Sequence, residues 1–216
     1  MQIVFDNVLP APIEATIDPE SEIWAKNITF ENNKSYQIYA PSGKGKSTFI
    51  HLIYGLRNDF KGNIFIEGQN TKKINATQWA KFRQTQISVI FQDLRLFMEL
   101  TAYENILLKA QLTQKNTPEL KKQIEDKAEF LGVAPLLSKK AQLLSYGERQ
   151  RIAIIRATMQ PASFLLLDEP FSHLDPANIE KASKLLQQYR QQHQTSFLMT
   201  SLGYDYALAL DEKVRL

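Results

Sequence analysis

The sequence predicts an α/β fold: a parallel-sheet core, a small antiparallel sheet toward the N-terminus, and a helical subdomain inserted at roughly residues 94–161. Three observations predict it. Gln86–Phe91, Phe164–Leu167 and Ser196–Thr200 are short runs dominated by apolar residues, the pattern of strands covered on both faces. Before any convincing helix, three short extended stretches bounded by Asp, Asn or Gly suggest a separate, largely antiparallel sheet. Between them, a glycine-bearing loop joins a strand to a helix. The 216 residues are expected to form one domain, 1–216, with no repeat or linker.

The antiparallel stretches are Ile3–Val8, Ile23–Phe30 and Gly62–Glu67, and Ser35–Ala40 opens the core. In Thr117–Gly132, Thr117 can cap and Pro118 suits the first turn. Leu120, Ile124, Ala128 and Leu131 keep one face apolar, and Gly132 closes the end. Asp175-Pro176 opens a second helix with Ile179, Ala182, Leu185, Leu186 and Tyr189 along one face, and Lys213–Leu216 is the expected final strand.

Composition excludes several classes of function. There is no cysteine, so disulfide frameworks, thiolate zinc sites and thiol nucleophiles are ruled out. Lys plus Arg number 26 against 23 Asp plus Glu; an excess of +3 gives no reason to expect direct nucleic-acid binding. No apolar run reaches the ~18–20 residues of a membrane span, and the first residues lack a signal peptide's pattern, so a soluble, cytoplasmic protein is expected.

With only 8 glycines in the chain, those in loops are informative. Ala40, Pro41, Ser42, Gly43, Lys44, Gly45, Lys46, Ser47 and Thr48 follow the strand and precede the apolar helical stretch Phe49–Ile53. Gly43 and Gly45 let backbone N–H groups curl around an anion, and the helix N-terminus adds partial positive charge. Lys46 suits the β- and γ-phosphates and the Ser47 hydroxyl suits Mg²⁺, which makes this a P-loop NTPase core. Ala40 stands where the regular pattern has glycine, which requires a negative φ there. The apolar strand Phe164–Leu167 then ends in Asp168-Glu169-Pro170, placing carboxylates at the ligand-facing end of an α/β sheet. Asp168 would hold Mg²⁺ through water, and Glu169 would act as general base on the attacking water.

Leu144-Ser-Tyr-Gly-Glu-Arg-Gln-Arg151, with Ser145 lying 23 residues upstream of Asp168, resembles the signature of the ATP-binding cassette (ABC) ATPases. Ser145, Gly147 and Glu148 match that motif, with Tyr146 replacing a glycine; read alone, the segment is equally a serine-capped amphipathic helix. The resemblance implies that Gln92 senses Mg²⁺ and the attacking water, and that Asp175 contacts a second copy of the chain. It also implies that Gly62–Gly68 belongs to the β-subdomain. Leu94–Ile106 is similar to the lipoprotein-releasing, macrolide-export and cell-division branch of the family.

Two departures bear on chemistry. The family's switch histidine falls at Ser201, which predicts slowed hydrolysis with nucleotide binding retained. His51, His173 and His193 lie out of register for that role. The aromatic that stacks on adenine falls near Pro12, with Trp24 or Phe5 as substitutes. The implied function is the ATPase of an ABC transporter, lodged on the cytoplasmic membrane face by integral membrane permease subunits and closing as an ATP-sandwich dimer. The alternative is a non-transport ATP switch on a cell-envelope or other complex; a small-molecule kinase would have no use for Ser145–Glu148.

Overall fold

The computed structural model describes residues 1–204, 206 and 208–216. Its strands form two sheets. The first, in order β2-β1-β4-β5, is antiparallel and contains β1 (Gln2–Pro10), β2 (Asn27–Glu31), β4 (Phe60–Ile66) and β5 (Gln69–Asn70). The second, in order β6-β7-β8-β3-β9, is parallel and contains β3 (Tyr36–Tyr39), β6 (Ile87–Ile90), β7 (Phe164–Asp168), β8 (Ser196–Ser201) and β9 (Glu212–Arg215). Every residue of β6, β7 and β8 is buried, the state their apolar runs predict.

Helix α1 (Lys46–Ile53) follows the phosphate loop and packs on β7 and β8. Between β6 and β7 the chain builds α3 (Ala102–Ala110), α4 (Pro118–Phe130) and α5 (Tyr146–Ala157). Thr101 with Glu104, and Ser145 with Glu148, form reciprocal capping boxes, while Thr117 caps α4 by accepting from the Leu120 amide. Their apolar faces, including Ile106, Ile124, Ala128 and Ile152, share a core with one face of the parallel sheet. A second core, around Phe5, Trp24, Phe30 and Phe49, joins the antiparallel sheet to α1. Helix α6 (Pro176–His193) begins at the Asp175 cap and ends in Gln194 at φ 52°.

One local expectation changes, and one helix was not anticipated. Ile23–Lys26 is a turn, and the strand starts only at Asn27. Ala25 lies at φ 56° and donates its amide to the Val8 carbonyl, while Ile23 and Trp24 are buried. Their apolar character anchors a turn in the core rather than lining a sheet. Helix α2 (Ala76–Thr85) has no buried residue and so gave no apolar stripe to read; its Asn75–Gln78 capping box defines its start.

The carboxyl ends of β3, β6, β7 and β8 bring residues 40–48, Gln92, Asp168-Glu169 and Ser201 to one edge of the sheet, where open α/β sheets bind ligands.

Candidate active site

Along the phosphate loop, Gly43 and Gly45 have φ 79° and 94°, the left-handed region that glycine adopts without strain. A Cβ on Gly43 would meet nothing within 4 Å, so the positive φ rather than crowding favours glycine there. Ala40 has negative φ and is buried, so its methyl is a core contact. The departure from glycine at this position therefore carries no backbone strain.

Lys46 is 6% exposed, and its Nζ donates to the Ala40 and Pro41 carbonyls at 2.9 and 3.0 Å. The same ammonium lies 3.3 Å from Glu169 Oε1, joining the loop's cation to the carboxylate at the end of β7. Glu169 itself sits at φ 48°, a conformation costly for a side chain with a Cβ and concentrated at functional sites. Its amide donates to the carbonyl and the hydroxyl of Thr200, both at 3.3 Å, which hold that backbone in place.

Asp168 is buried and accepts from Thr200 Oγ1 at 2.7 Å. Burial pushes its carboxyl above the usual aspartate range; the hydrogen bond from Thr200 opposes the shift. Ser47 Oγ donates to Gln92 Oε1 at 3.3 Å. Ser47, Gln92 and Asp168 thus present an all-oxygen donor set, the chemistry that fits Mg²⁺.

A cleft of about 290 Å³ runs between Gly43, Gly45, Lys46, Ser47, Thr48, Gln92 and Glu169, with Ile13 and Leu202 in its wall. A larger cavity of about 430 Å³, between Arg57, Lys72, Trp79 and Arg83, has no carboxylate in its wall; the smaller cleft carries the chemistry. Lys44 lies outside the cleft wall and donates to the Thr16 carbonyl at 3.1 Å.

Other predicted residues lie elsewhere. Ser145, Gly147 and Glu148 form the tip of α5 and are absent from the cleft wall. Ser145 Oγ accepts from the Glu148 amide at 3.3 Å and Glu148 Oε2 accepts from the Ser145 amide at 2.7 Å. Asp175 also lies outside the wall, capping α6 through the Asn178 amide at 2.9 Å. That amide and the Asn178 side chain hold its carboxyl below the usual range. Ser201 is buried; its Oγ accepts from Gln37 Nε2 at 2.9 Å and from the Gly203 amide at 3.1 Å, and Leu202 takes the place in the cleft wall.

Neither proposed adenine substitute offers a free face. Phe5 and Trp24 are both core residues, and Trp24 packs beneath Gly45. Pro12 lies in a 3-10 helix, Ala11–Thr16, from which Ile13 reaches the cleft. His51 is tilted against Phe91 with ring centroids 5.9 Å apart, and burial lowers its pKa. Thr200, Ile13 and Leu202 were not anticipated. Thr200 becomes important only through its register opposite Asp168, which no local pattern reveals.

Comparisons with known proteins bear on the family and the fold. A family model described as ABC transporter matches residues 25–172. The chain is 33% identical over 190 residues to the lipoprotein-releasing system ATP-binding protein LolD of Hahella chejuensis, covering 88% of this chain and 82% of the relative. It is 34% identical over 178 residues to the ABC transporter ATP-binding protein YxdL of Bacillus subtilis, covering 81% and 69%. Its fold matches the dimeric structure of the bacterial ABC transporter cassette MJ0796 with a TM-score of 0.79, 24% identity, and 94% and 88% of the two chains covered.

Proposed function

The chain belongs to the ABC transporter family, and on that premise we propose that it is the ATP-binding, ATP-hydrolysing subunit of a transporter, working as a nucleotide-sandwich dimer. One observation carries the reading: the cleft gathers Lys46, Ser47, Gln92 and Glu169 but leaves out Ser145, Gly147 and Asp175. In this reading a single chain offers half of a triphosphate site, and a second copy would bring its α5 tip to complete it.

In this reading Ser42–Thr48 cradle the phosphates and Lys46 leaves the loop carbonyls to meet the γ-phosphate. Ser47 and Gln92 would ligate Mg²⁺, with Asp168 holding it through water; when bound, the ion neutralises charge on the β- and γ-phosphates. Glu169 would accept a proton from the attacking water at its carboxylate, with Thr200 fixing its backbone. Ser201, neutral and turned to Gln37, would leave hydrolysis slow and binding intact.

In this reading the permease would dock next to Phe91, the residue before Gln92. Phe97, Leu108 and Leu112 are 61%, 44% and 48% exposed and flank a cleft of about 230 Å³ that includes Tyr54, Phe91 and Arg95. Exposed apolar surface of this kind supports docking of a membrane permease. No helix among the described residues is long and apolar enough to cross a membrane. In this reading separate membrane-embedded polypeptides hold the subunit on the cytoplasmic face.

The test is the mass of Glu169→Gln in solution with Mg²⁺ and ATP. A dimer that forms with ATP but not ADP, and is lost on adding Ser145→Arg, is expected; a monomer under all conditions would refute the sandwich. Ser201 also favours a second reading, an ATP switch outside transport. Co-purification of a multi-span membrane protein separates the two.

A further inference from the structure

We propose that Tyr146 is a positioning residue for Gln92, a role that rests on the ATPase reading and that glycine at this position could not perform. Tyr146 is the first residue of α5, and its hydroxyl donates to the Gln92 carbonyl at 2.5 Å. The two residues are 54 positions apart, so this bond ties the tip of the helical region to the end of β6. Gln92 presents its side-chain oxygen to Ser47, so fixing its backbone fixes where that oxygen points.

The same ring makes a second connection. It packs on His173 with centroids 4.1 Å apart, and His173 Nδ1 lies 2.9 Å from Ser172 Oγ in the loop after Glu169. That loop comes so close to α5 that a Cβ on Gly147 would lie 3.0 Å from the His173 carbonyl oxygen. Within one chain, Tyr146 thus joins the helical tip to the Gln92 loop and to the Ser172–Asp175 loop. Movement of α5 relative to the core is transmitted to the amide that faces Ser47.

The variant Tyr146→Phe keeps the ring on His173 and removes only the donor. Two readouts follow. In the protein without nucleotide, amide hydrogen exchange across residues 92–95 rises roughly two- to tenfold, the effect of losing one uncharged hydrogen bond. In the full-length protein with saturating ATP, the Mg²⁺ concentration for half-maximal turnover rises by a similar factor, while KM for ATP moves less than about twofold. Tyr146→Gly enlarges both effects, and His173→Ala, which leaves the hydroxyl bond, changes exchange at 92–95 less than Tyr146→Phe does. Exchange and Mg²⁺ dependence both unchanged in Tyr146→Phe would overturn the proposal. The exchange experiment needs no turnover, so it reads the positioning role even if the ATPase reading fails.

Discussion

Thr200 carries a structural burden out of proportion to its size, and Thr200→Val measures it. The substitution nearly preserves shape while removing the hydroxyl that donates to Asp168 Oδ1 at 2.7 Å and accepts from the Glu169 amide at 3.3 Å. Thr200 is fully buried and Asp168 almost so, so water cannot replace the lost donor. A hydrogen bond to a charged group contributes about 1.5–3 kcal/mol, and for a chain of this length each kcal/mol corresponds to roughly 2–4 °C in Tm. The expected loss at neutral pH is thus about 3–12 °C by scanning calorimetry. The sign with pH follows from the group concerned. Burial already raises the Asp168 carboxyl, and the Thr200 bond favours its ionised form. The difference between wild type and variant is therefore fully present above the folded pKa of Asp168 and shrinks as pH falls through it. Asp168→Asn in the Thr200→Val background should recover much of the stability at neutral pH, because no buried charge then lacks its donor. Equal melting of Thr200→Val and wild type at neutral pH would refute this account of the end of β7.

Two further outcomes are expected. Ser201→His should raise steady-state ATP turnover while leaving ATP affinity within about threefold, since the phosphate loop is untouched, and should cost about 1–3 kcal/mol because a larger ring enters a position 2% exposed; calorimetry and an ATPase assay on the same preparation check both, and an unchanged rate would count against a role for this position. Lys127 donates to the Thr158 carbonyl at 2.7 Å, and burial lowers its pKa to about 8. That cost is complete below about pH 8 and fades toward pH 10.5 as the unfolded chain also loses its proton. Lys127→Met should therefore melt higher than wild type near pH 7 and lose the advantage by pH 10, as thermal melts across that range would show.

Much of this protein was legible in the chain because the signals are local. Short runs dominated by apolar residues specify β6, β7 and β8 as covered strands, since both of their faces are buried. Thr117-Pro118, Ser145 with Glu148, and Asp175-Pro176 announce helices because the capping groups lie within one turn of the amides they serve. Gly43 and Gly45 mark the phosphate loop because only glycine adopts their φ freely.

What the chain could not disclose depends on partners distant in sequence. That Ala40 is tolerated follows from its φ and burial, and Trp24 looks like a candidate base platform until the fold packs it beneath Gly45. Ser201 faces Gln37, Thr200 faces Asp168, and Tyr146 meets Gln92 across 54 residues. The reason is the same in each case. Dihedral preferences, capping and burial patterns act over a few residues and are written in composition and spacing. The aim of a side chain at the carboxyl edge of a sheet is set by strand order and register, which exist only once the chain has folded.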